Sequence, residues 1–194
     1  MKQILHYYIF IISILATNLI FAQDYTDYLV DENNNKIFCR ITQIKNGKVK
    51  YRLKGKSYST IKTITKFSDV SFTNPDVLKN PLGLKIEKPE PGYAHVYFYY
   101  SGIIYNVKDN GEKLVDIRIG SYFLHKIKAS ETHNYSSFGS NLEIIAENQK
   151  IYLVRGIEKN IDTRFNSRVG SKLVLDNRKI SEYALLSMKK KAKK

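Results

Sequence analysis

The sequence predicts a mainly β protein, in which a small antiparallel β-meander is followed by a β-sandwich and a C-terminal helix. Short runs of alternating apolar and polar residues recur along the chain, separated by Gly, Asn and Ser, as in antiparallel strands with one buried face. A content of 43% hydrophobic residues and 15 Tyr is typical of a globular, strand-rich protein. All four prolines lie within residues 74–91, which predicts a linker between a module at residues 24–73 and a second domain at residues 92–188.

Residues 1–22 have the pattern of a secretory signal peptide. Lys2 supplies a short positive region, an almost wholly apolar run follows as far as Phe21, and Ala22 places a small residue at a cleavage position. We therefore predict cleavage near Ala22, export to the periplasm or cell envelope, and no transmembrane span in the mature chain. The alternative is an uncleaved membrane anchor, because the run approaches the ~17–25 residues that a spanning helix needs.

Residues 24–73 are expected to form a curled meander of about four strands, too small to be very stable alone. Residues 36–44 and 48–54 alternate between apolar and polar, and Asn46-Gly47 between them favours the positive φ angles of a type I′ hairpin turn. Residues 58–67 are expected to form a further strand. Through IFCRI at residues 37–41, this module resembles a short β-module of unassigned function in exported bacterial proteins.

The clearest surface signal is a row of basic side chains on the second strand of that hairpin. Val49, Tyr51 and Leu53 are expected to face the core. Because side chains alternate along a strand, the residues between and after them should face solvent: Lys48, Lys50, Arg52 and Lys54. Residues 33–68 contain ten Lys and Arg and no Asp or Glu, and the chain carries a formal charge of +14. The row is either a solvated face that discourages edge-to-edge pairing or an anion-binding surface.

In an exported protein, the partners that such a face predicts are an envelope protein, an anionic polysaccharide or lipid headgroups. Nucleic acid is not expected, because its bases need aromatic rings beside the charges, whereas Tyr51 has core parity. Cys39 is the single cysteine, so no internal disulfide can form. It shares strand parity with Ile37 and Ile41, which predicts a small buried hydrophobe rather than a reactive thiol.

Residues 92–188 have the spacing of short strands and turns that is typical of a sandwich. In the first strand, the apolar positions Ala94, Val96 and Phe98 alternate with an opposite face made of His95, Tyr97 and Tyr99. Residues 161–170 are expected to form a polar, basic loop. A final helix is predicted because apolar and small residues recur at helical spacing after the N-cap candidates Asp176 and Asn177, and residues 189–194 form a basic tail.

Several of these segments resemble motifs that follow one another in the same order in a known bacterial family. GYAHVYFYY at residues 92–100 fits G-x-A-x-V-Y-x-Y-R, with Tyr in place of Arg, and IGSYF at residues 119–123 fits the next motif. SETH at residues 130–133 approximates P-G-x-H, and QKIYL at residues 149–153 loosely matches the closing strand G-K-x-Y-Y, without its Gly. The domain resembles the DUF2846-type family of exported proteins of unknown function, which implies a prealbumin-like or carboxypeptidase-regulatory-like sandwich.

Little in the sequence points to catalysis. His95, His125 and His133 lie in no H-x-x-H, H-E-x-x-H or Cys/His cluster, which argues against a zinc site, and no nucleotide-binding or serine-hydrolase motif occurs. His125 and His133 flank one loop and are expected to be exposed or hydrogen-bonded strand histidines. The alternative is that they approach each other across a hairpin, where a carboxylate would complete a catalytic site. The acids that crowd one hairpin (Asp109, Glu112 and Asp116) are expected to solvate its turn.

From the sequence we therefore expect no enzymatic activity and no cofactor. The predicted function is that of an exported binding or scaffolding module of the cell envelope. Two alternatives remain open, a hydrolase-type enzyme with a His/carboxylate site and a structural component of an envelope or secretion assembly.

Overall fold

A computed structural model describes residues 25–80, 83–100, 105–161, 168–176 and 178–190. Within these residues the strands form three sheets, and one short α-helix lies near the end of the described chain. The predicted mainly β fold with a sandwich and a C-terminal helix is confirmed. The predicted signal peptide lies outside the described residues. Among the described helices, none has the length and apolar character needed to cross a membrane.

The first sheet, here called the N-terminal sheet, is antiparallel throughout and has the strand order β4-β3-β2-β1-β5. A 3-10 helix at Ile64–Lys66 carries the chain from β4 towards β5, and a second one lies at Pro75–Val77. The five strands are β1 (Asp27–Val30), β2 (Lys36–Lys45), β3 (Lys48–Leu53), β4 (Thr60–Thr63) and β5 (Asp69–Ser71).

Turn chemistry and a bulge set the register of the β2–β3 hairpin. Asn46 and Gly47 have φ angles of 52° and 70°, so the predicted type I′ turn is confirmed. Between the pairs Ile41–Tyr51 and Gln43–Lys50, Thr42 is an extra residue. This bulge reverses the parity of β2, so that Ile44 faces inward like Ile41 although the two residues are three positions apart.

The second half of the described chain forms two sheets that face each other. The central sheet has the order β13-β12-β6-β9-β14, and the outer sheet has the order β11-β10-β7-β8. Their strands are β6 (Tyr93–Tyr100), β7 (Tyr105–Asp109), β8 (Glu112–Ile117), β9 (Ser121–Lys128), β10 (Thr132–Ser137), β11 (Ser140–Ile145), β12 (Ile151–Ile161), β13 (Arg168–Leu175) and β14 (Lys189–Lys190). The helix α1 (Lys179–Leu186) lies between β13 and β14 in sequence.

Two features of the central sheet differ from the expectation. It is mixed, because β12 runs parallel to β6 and β14 runs parallel to β9. The ends of the expected basic loop at residues 161–170 are paired, Ile161 with Arg168 and Lys159 with Gly170, while residues 162–167 lie outside the described residues. Pairing of the flanking strands therefore extends into sequence that looked too polar for regular structure.

The central sheet is buried on both faces. Val96 and Phe98 belong to the core between the central and outer sheets. Tyr97 and Tyr99 point the opposite way, into a core that they share with the N-terminal sheet and α1. The expectation that one face of this first strand is wet is therefore wrong, because the N-terminal sheet covers it. Leu84, from the proline-rich stretch, packs against the same shared core.

A buried ion-pair network joins the N-terminal sheet to the central sheet. The Asp176 carboxylate accepts hydrogen bonds from Arg178 Nε and Nη2, both at 2.7 Å, and Arg155 Nε lies 3.2 Å from Asp176 Oδ2. The same two guanidinium groups donate to backbone carbonyls beyond β4, from Arg155 to Thr65 (3.1 Å) and from Arg178 to Phe67 (3.2 Å). Three backbone segments are thereby held around one carboxylate.

That network also explains why a predicted helix cap is wrong. The N-cap of α1 is Arg178, and its side chain makes no capping hydrogen bond. The Asp176 carboxylate is engaged by the arginines instead, while the other candidate, Asn177, lies outside the described residues. At the other end of the helix, Ser187 accepts from the hairpin turn of the N-terminal sheet, through its carbonyl from Asn46 N (2.8 Å) and through Oγ from Gly47 N (2.9 Å).

Candidate functional site

The four basic residues that the sequence singled out lie on or beside the outer surface of the N-terminal sheet. Along β3, Val49 and Tyr51 are buried in the shared core, so Lys48, Lys50 and Arg52 project from the opposite face and are exposed. Lys54, which is also exposed, follows the last residue of β3 and lies in the turn after it. Three of the four residues therefore share one sheet face, and the fourth lies at its end.

Neighbouring strands extend this surface, because residues that pair directly across an antiparallel ladder lie on the same side of the sheet. On the β2 side, Lys48 pairs with Lys45, and Arg52 pairs with Arg40. On the β4 side, Lys50 pairs with Ile61. We call the surface formed by the exposed side chains of β2, β3 and β4 the basic face: Phe38, Arg40, Lys45, Lys48, Lys50, Arg52 and Ile61.

Two large apolar side chains are exposed within the basic face. Phe38 is 59% exposed, and its ring packs in a T-shaped arrangement with that of Tyr28, with 6.4 Å between centroids. Ile61 is 60% exposed. In the connection between β3 and β4, Tyr58 is 63% exposed. Sequence reasoning missed these residues as a surface feature, although Phe38 has the opposite parity to its inward neighbours Ile37 and Cys39.

No described ion pair offsets the positive charge of the basic residues on and just after β3. Within the described residues, Lys48, Lys50, Arg52 and Lys54 take part in none of the ion pairs. The nearest carboxylates in sequence are those of Glu32 and Asp69, which flank the acid-free residues 33–68. Asp69 lies on β5, at the opposite edge of the sheet from β4. β3 itself carries no carboxylate that would repel an approaching anion, although Asp31 and Glu32 line a pocket together with Lys48 and Ile61.

A second group of polar side chains lies between the central and outer sheets, where the structure brings His125 and His133 together. Their ring centroids are 5.7 Å apart. His133 Nδ1 lies 2.9 Å from Asp109 Oδ2, and His125 Nδ1 shares a hydrogen bond of 3.1 Å with the Tyr135 hydroxyl. Asp109 ends β7, His125 lies on β9, and the other two residues lie on β10. The two histidines therefore approach each other, but they do so across the two facing sheets and not across a hairpin, because β9 and β10 belong to different sheets.

The Nε2 atom of His133, which would act as the catalytic base, is closed off from solvent. His133 Nε2 is buried and makes no hydrogen bond with any described residue, and Glu131 Oε2 lies 3.5 Å away. Tyr135 is fully buried, and this burial raises the pKa of its hydroxyl; the negative charge of Asp109 adds a smaller effect in the same direction. A general base must come within hydrogen-bonding reach of its substrate. This geometry orients a histidine but offers its second nitrogen no open space.

The other candidates for chemistry are buried. Cys39 is fully buried, as predicted, and burial followed by the charge of Asp27 raises the pKa of its thiol to about 12. His95 is buried beneath the proline-rich stretch, and burial followed by the charge of Lys126 lowers its pKa. In the part of the chain that the structure describes, no cluster of three or more His, Cys, Asp or Glu side chains is suited to a metal ion.

Comparison with protein-family models, curated proteins and solved structures yields no match to this chain. The resemblance to the DUF2846-type family therefore stays a prediction, and the site has to be interpreted from its own geometry.

Proposed function

We propose that this chain is an exported, non-enzymatic binding module of the cell envelope, and that its basic face binds an anionic partner. The single observation that supports the proposal most strongly is the alternation of β3. That strand anchors the sheet through Val49 and Tyr51 and turns Lys48, Lys50 and Arg52 to solvent. Rigid strands hold these charges at fixed spacing, which favours a repeated or extended anion over a small one.

The test is salt-dependent binding of the chain to dextran sulfate, a soluble polyanion, measured by calorimetry. One variant replaces with Ser the four basic residues that the sequence singled out, three on the basic face and one in the turn at its end: Lys48, Lys50, Arg52 and Lys54. Because each cation near an anionic surface contributes about 1 kcal/mol, we expect this variant to bind roughly 10²- to 10³-fold more weakly at low salt. Its affinity should also depend less steeply on salt, because fewer counterions are released.

A matched control removes the same number of charges elsewhere. It replaces four exposed lysines outside the basic face with Ser: Lys85, Lys88, Lys113 and Lys128. Binding through the basic face predicts that this control keeps most of its affinity, whereas attraction by net charge alone predicts an equal loss in both variants. Equal losses, or unchanged binding in the first variant, would refute the proposal.

A hydrolase-type enzyme is the second candidate, because Asp109 and His133 lie in contact between the sheets. In that function the carboxylate would fix the imidazole tautomer and Nε2 would accept a proton from the reacting group. The reagent diethyl pyrocarbonate, which acylates accessible neutral imidazoles, tests this candidate. Rapid modification of His133 in the folded protein would support it, and protection comparable to that of the buried His95 would argue against it.

A further inference from the structure

We propose that the partner of the basic face is the headgroup region of an anionic lipid bilayer. This inference rests on the proposed function, since it names the partner of the same surface. The observation that supports it is the presence of exposed apolar side chains, Phe38 and Ile61, on the same face as the cations. A bilayer surface offers both components that this face needs, phosphate anions and an apolar layer directly beneath them.

The spacing suits a sheet that lies flat on a membrane. Ile61 on β4 and Phe38 on β2 lie on either side of β3, which carries Lys48, Lys50 and Arg52. Ile61 is level with Lys50, whereas Phe38 lies four positions further along, beyond the Cys39–Leu53 pair. With strands about 4.8 Å apart and a rise of about 3.3 Å per residue, the two apolar side chains are roughly 16 Å apart on a diagonal, with the β3 cations between them. Lysine stems can extend along apolar surface and keep their ammonium groups at the phosphate level.

The same layout argues against the other two predicted partners. A soluble polysaccharide supplies anions but no apolar layer that would cover Phe38. In protein–protein interfaces, charged residues are depleted from the centre and lie at the rim. Here the order is reversed, because the cations of β3 lie between Phe38 on one side and Ile61 on the other. A membrane surface tolerates central cations flanked by apolar side chains, because phosphates cover the whole surface and every lysine of the face can reach one.

A single tryptophan can report the insertion directly, because the chain contains no Trp. The reporter variant is Phe38→Trp in the full chain. The matched control is Ile145→Trp, because Ile145 is 62% exposed and lies on β11 of the outer sheet, away from the basic face. Both are mixed with phosphatidylcholine vesicles that contain or lack phosphatidylglycerol, and their emission is recorded. Ile61→Trp serves as a second reporter in case Phe38→Trp fails to fold.

We expect the emission of Phe38→Trp to shift to the blue only with the anionic vesicles, and the shift to disappear at high salt. Ile145→Trp should not respond to either vesicle. Without reporters, the double variant Phe38→Ser/Ile61→Ser should bind anionic vesicles roughly 10- to 30-fold more weakly, because two side chains no longer enter the apolar layer. Its affinity for dextran sulfate should stay unchanged, because every cation is kept.

The outcomes separate this inference from the proposed function. If the unmodified chain binds dextran sulfate but not anionic vesicles, the membrane inference fails and the proposed function stands. If it binds neither, both fail. Vesicle binding that ignores phosphatidylglycerol, that shifts both tryptophans alike, or that the double Ser variant retains in full would also overturn the inference.

Discussion

Replacement of Asp176 by Asn should uncouple the N-terminal sheet from the central sheet. The substitution keeps the shape of the side chain and removes the charge that two arginines share. The Asp176 side chain is only 4% exposed, and those of Arg155 and Arg178 are 18% and 39% exposed. After the change, two guanidinium groups would stay partly buried against the backbone carbonyls of Thr65 and Phe67 without a counter-charge.

The magnitude follows from the burial of the three groups. Removal of one partner from a fully buried ion pair costs about 3–5 kcal/mol. Because Arg178 is more than one third exposed, water screens part of that loss, and we expect the free energy of unfolding to fall by about 2–4 kcal/mol. For a chain of this size, that loss lowers the melting temperature by about 4–16 °C.

The pH dependence supplies an independent readout. Burial acts to raise the pKa of Asp176, but the hydrogen bonds from Arg178 and the charge of Arg155 outweigh it, so its pKa lies below the usual value. A carboxylate with a depressed pKa stabilises the fold above its unfolded-state pKa of about 3.9, and the contribution is lost as the pH falls through the folded-state value. The difference in stability between the unmodified protein and Asp176→Asn should therefore be largest above about pH 5 and should shrink as the solution becomes strongly acidic.

Urea unfolding followed by circular dichroism, repeated across that pH range, measures both effects. The control is Glu90→Gln, because Glu90 forms an exposed ion pair with Lys126 at 3.4 Å, with side chains 68% and 52% exposed. It should change the free energy of unfolding by less than about 1 kcal/mol. If Asp176→Asn unfolds at the same urea concentration as the unmodified protein, and its pH profile is unchanged, the network does not hold the sheets together.

Three further predictions concern the described core and turns. Asp27→Ala should destabilise the fold by about 2–4 kcal/mol in urea unfolding, because its carboxylate accepts from Ile41 N (2.8 Å) and Thr73 N (2.9 Å), and both donors would lose their partner. Phe138→Asn should raise the free energy of unfolding by about 1 kcal/mol, because Phe138 has a φ of 37° and a largely exposed ring; a lower melting temperature would contradict this. Since the thiol pKa of Cys39 is about 12, roughly one thiol in 10⁴ is ionised at pH 8, so iodoacetamide should label Cys39 slowly in the folded protein and quickly in urea.

Local chemistry allowed the hairpins to be predicted. Asn46-Gly47 adopts positive φ angles and closes the hairpin that its flanking residues indicated, and Asn110-Gly111 adopts positive φ angles in the turn between β7 and β8. In such turns the residue types themselves decide the backbone conformation, so no knowledge of the surrounding fold is needed. The same reasoning placed Lys48, Lys50 and Arg52 on one exposed face, because β3 alternates without interruption.

Features that depend on distant segments could not be predicted. The unbroken apolar and aromatic character of β6 is consistent with burial on both faces, yet only the arrangement of the N-terminal sheet shows what covers Tyr97 and Tyr99. The parallel pairing of Val96 with Tyr152 joins residues that no turn connects. The contact of Asp109 with His133 depends likewise on the pairing of β7 with β10, which sequence periodicity does not encode.

The contact between Ser187 and the β2–β3 hairpin has a consequence for folding while the chain is being synthesised. Gly47 and Ser187 are separated by 140 residues, and the helix that carries Ser187 also covers the inner surface of the N-terminal sheet. At a translation rate of about 5–20 residues per second, the hairpin emerges roughly 7–28 s before its partner is made. During that interval Ile44 and Val49, fully buried in the finished fold, are exposed on the nascent chain. The N-terminal sheet is therefore a natural target for chaperones until Ser187 has been synthesised.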